Sequence, residues 1–182
     1  MTEELEVLKI VTERLNKENI VYMISGSIAL NLYTSPRMTR DIDIVVDLKD
    51  ADIDRFIKIF QKDFYVDKEM IYEAKRQTGM FNLIHNEYVV KIDFIIKKTS
   101  EYQETAFLRK KNISIENSPM WFISPEDLVI SKLNWARDSY SEMQLKDVRN
   151  LLQTMDNIDF QYIEKWVEKL NLIEIYQKIG NE

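Results

Sequence analysis

Two aspartates, Asp41 and Asp43, alternate with isoleucine in DIDIVVD, and a third, Asp93, lies inside VVKIDFII. Segments so rich in isoleucine and valine read as strands, from which aspartate is normally depleted. Residues two apart on a strand share a face, so Asp41 and Asp43 project together while Ile42 and Ile44 turn to the other side. Two carboxylates that close raise each other's pKa unless a cation joins them. A hard divalent ion with oxygen ligands, magnesium or manganese, is one such cation. Pairing with Arg37, Arg40 or Lys91 is the structural alternative. If the strand bearing Asp93 lies beside that of Asp41, three carboxylates converge, enough to hold one or two ions and leave a base for a hydroxyl. Asp47 ends its strand and begins the next turn.

Upstream, Gly26-Ser27 sits between a short apolar run and a helical one. Glycine permits close backbone approach, and the first turn of the following helix offers free N–H groups to a phosphate. Lys132 has Leu128, Val129, Trp135 and Ala136 as its helical neighbours, all apolar. A lysine on such a face either reaches out to water or meets a buried anion. The structural alternative for Asp147 is that of salt-bridge partner to Lys132 between helices. Arg37 and Arg40 either contact phosphate or neutralise the acidic pair. The single histidine, His85, has no neighbours that would support a triad or metal site, and it reads as structural or exposed at a hairpin end.

The elements that must position these residues follow from periodicity. Leu5, Leu8, Val11 and Leu15 line one face of a helix from about Glu3 to Lys17, with Thr2 as N-cap. Val21–Ile24 is a short strand, IALNLY a helix that Pro36 terminates, Asp41–Val46 a strand, and Ala51–Phe60 a helix. Met80–Ile84 and Tyr88–Ile96 form two strands about a tight turn at Asn86-Glu87. Beyond Glu101 the pattern is mostly helical, apart from a strand near Ile113–Ile115. Ser124 caps a helix that begins at Pro125. Ser141 and Gln144 have capping-box spacing, and a last helix spans roughly Tyr162 to Ile179.

The 182 residues therefore read as one α+β domain: a mixed-sheet core over residues 20–98, flanked by helices, and a mainly helical extension over 99–182. There are no cysteines, which excludes disulfides and thiolate chemistry. No apolar stretch is long enough for a membrane span, and the acidic MTEELEVLK start is unlike a secretory signal, so a soluble cytoplasmic protein is expected. A net charge of −6 disfavours a protein that grips long nucleic acid mainly through charge. From Lys91 to Lys111 the chain carries six basic against three acidic residues, a strip that either meets phosphates or is a solvated surface.

Strand, Gly-Ser, helical turn, Asp-x-Asp and a later strand aspartate together resemble the nucleotidyltransferase superfamily typified by DNA polymerase beta. The matching segments are ISGS at 24–27, DIDI at 41–44 and KIDF at 91–94, with thirteen residues between Ser27 and Asp41. PRMTRDIDIVV, SPEDLVISKLNWARDS and LKDVRNLL further resemble the AbiEii/AbiGii toxin-type group. The resemblance implies transfer of a nucleoside monophosphate from a nucleoside triphosphate, ATP among the candidates, to a hydroxyl acceptor with Mg2+ or Mn2+. The acceptor would be an RNA end such as that of a tRNA, a protein or a small molecule. It further implies that Asp41 and Asp43 bind metal, and that Asp93 binds metal or acts as base. Gly26, Ser27, Lys132 and Arg40 would serve the nucleotide, with Arg37 and Asp147 as additional site residues. A toxin-type member would have a cognate antitoxin. The alternative is an inactive nucleotide-binding or partner-binding module of the same fold.

Overall fold

The computed structural model describes residues 2–139 and 141–180. Strands β1 (Val21–Ile24), β2 (Asp41–Asp47), β3 (Phe64–Val66), β4 (Met80–His85), β5 (Lys91–Ile96), β6 (Lys111–Ile115) and β7 (Ser118–Phe122) form one mixed sheet. Its order is β3-β4-β5-β2-β1-β7-β6. The β2–β5 and β1–β7 pairs are parallel, and the other neighbours are antiparallel.

The two faces of this sheet differ in kind. Ile42, Ile44 and Val46 of β2 and Ile92, Phe94 and Ile96 of β5 are buried on one side. Helix α1 (Glu3–Lys17) supplies Val7, Leu8, Val11 and Leu15 to the core, and α3 (Ile53–Phe60) supplies Phe56 and Phe60. Phe56 meets Phe60, Phe81 and Phe94 with ring centroids 4.8–5.5 Å apart. Arg14 ties the two helices together, donating to Asp63 at 2.7 Å and to the Ile59 carbonyl at 2.9 Å. Helix α2 (Gly26–Tyr33) packs on β2 and also meets α6 (Pro125–Ser139) and α7 (Glu142–Thr154). That opposite face carries Asp41, Asp43, Lys91 and Asp93.

Most expected elements form where periodicity placed them. Thr2 accepts from the Leu5 N–H, and Ser124 accepts from that of Asp127. The helix after Gly26 ends at Tyr33, before Pro36, and Asp47 is the last residue of β2. Five details differ. β5 begins at Lys91 rather than Tyr88. Residues Phe64–Val66 and Lys68–Gln77 form β3 and helix α4, for which no element was expected. The strand near Ile113 is half of a β6–β7 hairpin, which adds to the sheet beside β1 and carries that sheet into the C-terminal half. Ser141 makes no side-chain cap bond, so the capping box does not form. The last helix is two, α8 (Phe160–Lys169) and α9 (Ile173–Gln177). Between them Asn171 adopts φ 55, while the Asn171 and Leu172 N–H groups bond back to Glu168 and Val167 carbonyls, a Schellman closure. Helix α5 (Glu101–Leu108) completes the set. No helix among the described residues is long and apolar enough to cross a membrane.

Candidate active site

Parallel pairing of β2 with β5 sets Asp43 opposite Asp93 and Asp41 opposite Lys91. All four side chains therefore share a face, and the three carboxylates anticipated from the sequence come together. Asp93 is buried, Asp43 half-buried and Asp41 exposed. Burial, first, and the neighbouring Asp93 and Asp41 charges push the Asp43 carboxyl above the usual range; Lys132 and Lys91 only partly offset this.

Gly26 explains how a carboxylate fits against a helix start. Its φ is +60, and a Cβ there would lie 1.8 Å from Asp43 Oδ2. The Ser25 N–H donates to the Asp43 carbonyl at 2.9 Å, fastening the turn to β2. Only glycine combines that left-handed backbone with so close an approach. The first-turn N–H groups of α2 thus begin directly beside the acidic cluster, which is where an anion would be held.

Beyond Ser27 lies a second charged group. Asn31 clamps the loop that follows α2 by bonding both the Arg37 N–H (2.9 Å) and its carbonyl (2.7 Å). The Arg37 guanidinium then reaches Ser27 Oγ at 2.8 Å and Asp147 Oδ2 at 3.0 Å. The same Asp147 oxygen accepts from Lys132 Nζ at 2.8 Å, and Gln144 Oε1 accepts from it at 3.0 Å. Lys132 is 4 % exposed, so of the two alternatives for this lysine it meets a buried anion. Burial holds its ammonium below the usual lysine range, despite the Asp147 hydrogen bond. Gln144, expected as a cap, is instead a ligand of this lysine.

Neither arginine neutralises Asp41 or Asp43. Arg37 serves Asp147, and Arg40 is exposed and forms no ion pair among the described residues. The cation on the acidic face is Lys91, whose Nζ is 2.8 Å from Asp93 Oδ2 and 3.7 Å from Asp41 Oδ1. The sequence marked this lysine only as a structural counter-charge. Its position two before Asp93 on an exposed strand end was the available signal. His85 is buried and structural: Nδ1 accepts from the Glu87 and Tyr88 N–H groups of the β4–β5 turn.

The chemistry of the cluster suits a hard cation. Its donors are carboxylate oxygens only, and a divalent ion would relieve the repulsion that raises Asp43. No three acidic or histidine side chains among the described residues are drawn into a ready metal cage, and Lys91 holds the outer pair.

No protein-family model matches the sequence, and no characterised protein matches it by sequence. Solved structures do match in shape. The chain superposes on ANT(2")-Ia, solved with adenylyl-2"-tobramycin, at a TM-score of 0.60 and 12% identity, covering 98% of this chain and 99% of that one. It superposes on a nucleotidyltransferase-like structure from Thermotoga maritima at 0.55 and 18% identity, covering 79% and 91%. The lincosamide adenylyltransferase LnuA, with lincomycin bound, gives 0.54 and 16% identity over 85% and 99%. The seven-stranded mixed sheet flanked by helices agrees with these likenesses: the chain has the nucleotidyltransferase fold.

Proposed function

We propose that this protein is a metal-dependent nucleotidyltransferase, moving a nucleoside monophosphate from a nucleoside triphosphate to a hydroxyl acceptor. The observation that carries the reading is the register of β2 and β5, with Asp43 and Asp93 side by side and Gly26 packed on the Asp43 carboxylate. A structural role for these acids would call for partners, yet the Asp43 side chain makes no hydrogen bond among the described residues.

In this reading Asp41, Asp43 and Asp93 hold Mg2+ or Mn2+, which supplies charge neutralisation of the phosphates and activation of the acceptor oxygen. The N–H groups at Gly26 and Ser27 hold the triphosphate, with the Ser27 hydroxyl oriented by Arg37. Lys132 adds positive charge from beneath, positioned by Asp147 and Gln144. Asp93 accepts the proton of the attacking hydroxyl. Arg40, free at the surface, meets the outer phosphates. Catalysis then rests on orientation of the hydroxyl and charge stabilisation in a half-buried site.

The acceptor is a small molecule, a protein or an RNA end such as tRNA. Adenylylated tobramycin beside one structural neighbour and lincomycin in another support the first of these. A toxin with a cognate antitoxin is the finer version, supported only by the sequence resemblance over residues 36–46, 124–139 and 145–152. A second reading has its own support: Lys91 already satisfies Asp93 and approaches Asp41, as it would in a nucleotide-binding module without turnover.

Incubating the protein with each labelled nucleoside triphosphate, Mg2+ and cell extract tests the proposal. Label is expected on one acceptor class, lost without metal and lost in Asp93→Ala. Triphosphate binding without any labelled acceptor, unchanged in Asp93→Ala, establishes the binding module instead. No metal-dependent triphosphate binding at all would falsify the enzyme reading.

A further inference from the structure

Among the described residues, Lys91 is the one cation in contact with the carboxylate face, and its attachment is asymmetric. Its Nζ lies 2.8 Å from Asp93 Oδ2, within hydrogen-bond reach, and 3.7 Å from Asp41 Oδ1. The Asp93 side chain is 11% exposed and the Lys91 side chain 40%, so the carboxylate is fixed inside and the ammonium stands at the solvent edge. These two are the only ion pairs Lys91 makes among the described residues, and no hydrogen bond anchors it elsewhere. Its four-carbon stem can swing outward without disturbing the strand, whereas the aspartates are bound into paired strands.

We propose that the Lys91 ammonium is a built-in competitor of the divalent ion, occupying one Asp93 oxygen, approaching one of Asp41 and setting how tightly the acidic face binds metal. This rests on the metal-binding reading of Asp41, Asp43 and Asp93 given above. A carboxylate oxygen that faces an ammonium at 2.8 Å cannot also face a divalent ion without severe like-charge repulsion. Metal entry therefore requires Lys91 to leave. Affinity for metal alone is low as a result. Asp43 is the one of the three carboxylates with which Lys91 forms no ion pair.

The test is direct binding of Mn2+ to the full chain, without nucleotide, by calorimetry and by the loss of the free-ion paramagnetic resonance signal. Lys91→Met keeps length and bulk and removes the charge. It is expected to bind Mn2+ on the order of tenfold more tightly than the wild type. Lys91→Arg is expected to stay within a few-fold of wild type, and Asp93→Asn to lose binding. Without metal, Lys91→Met should melt lower than wild type and recover on adding Mn2+. If Lys91→Met fails to fold, Lys91→Gln takes its place with the same expectation. Equal or weaker Mn2+ binding by the uncharged variants overturns the competitor role and leaves the metal site standing. Absence of Mn2+ binding in both wild type and variants overturns the metal site and the competitor together.

Discussion

Two acidic clusters among the described residues are built in opposite ways. At the start of α6, Asp127 accepts from Ser124 Oγ (2.7 Å) and Arg109 Nε (3.1 Å) on one oxygen, and from Tyr162 OH (2.7 Å) on the other. Glu126 beside it holds the same arginine at 2.9 Å, and the guanidinium stacks over the Tyr162 ring at 3.8 Å. Every oxygen of Asp127 has a donor, and α5, α6 and α8 are joined through it. On β2 and β5 the arrangement is reversed. Asp43 faces two other carboxylates and has no side-chain hydrogen bond among the described residues. A buried acid with a donor fixed on both oxygens, as in Asp127, is structural, because its partners are already in place. An unsatisfied one holds repulsion that a ligand can relieve, which is the condition of a site.

That contrast breaks most visibly when each cluster loses an acid. Asp93→Ala should cut nucleotidyl transfer by roughly a thousandfold while leaving the melting temperature close to wild type. Asp127→Ala should do the opposite, destabilising the fold by about 2–4 kcal/mol in denaturant titration, because it leaves the Ser124 and Tyr162 hydroxyls without their acceptor and takes one of two carboxylates from the half-buried Arg109. Should Asp93→Ala unfold the protein, or Asp127→Ala leave stability unchanged, the two clusters have been assigned the wrong way round. Gly26→Ala comes next in size. With φ +60 and a Cβ 1.8 Å from Asp43 Oδ2, it should cost about 2–3 kcal/mol and weaken triphosphate binding. Tight triphosphate binding by that variant would sever the helix start from the site.

The acidic face was legible in the sequence because it violates a rule. Aspartate inside DIDI and KIDF conflicts with strand propensity, and period two assigns the conflict to one face. The Asp127 cluster violates nothing visible: Pro125, Glu126 and Asp127 after Ser124 read as an ordinary acidic helix start. Its partners Arg109 and Tyr162 come from other elements, which only tertiary packing brings near. The β6–β7 hairpin went unseen for a local reason. Its turn places Glu116 and Asn117 at φ 48 and 66, a conformation usually marked by Asn-Gly. The break before α9 was hidden similarly, since Asn171 stands where glycine commonly marks a helix end. Gln144 was misassigned because a capping box and a lysine ligand look alike in one dimension.

The smallest effects separate the two kinds of acid by pH. Asp63, across the sheet on the α1–α3 side, is held below the usual carboxylate range chiefly by its Arg14 hydrogen bond. A depressed carboxyl contributes stability above its unfolded pKa and loses it as pH falls through the folded value. Asp43 is raised, so its ionisation costs stability, and that cost builds as pH rises from the ordinary carboxylate range through the folded pKa. At neutral pH without metal, Asp43→Asn should therefore be more stable than wild type by about 1–2 kcal/mol. Asp63→Asn should be less stable by under about 1 kcal/mol, since the pair is partly open to water. Both differences should shrink toward zero on acidification, from opposite sides, in urea titrations run from pH 7 downward. Adding Mn2+ should abolish the Asp43→Asn advantage by stabilising the wild type, and leave the Asp63→Asn deficit untouched. A shared response of both variants to the ion would mean that Asp43 is a structural acid like the others.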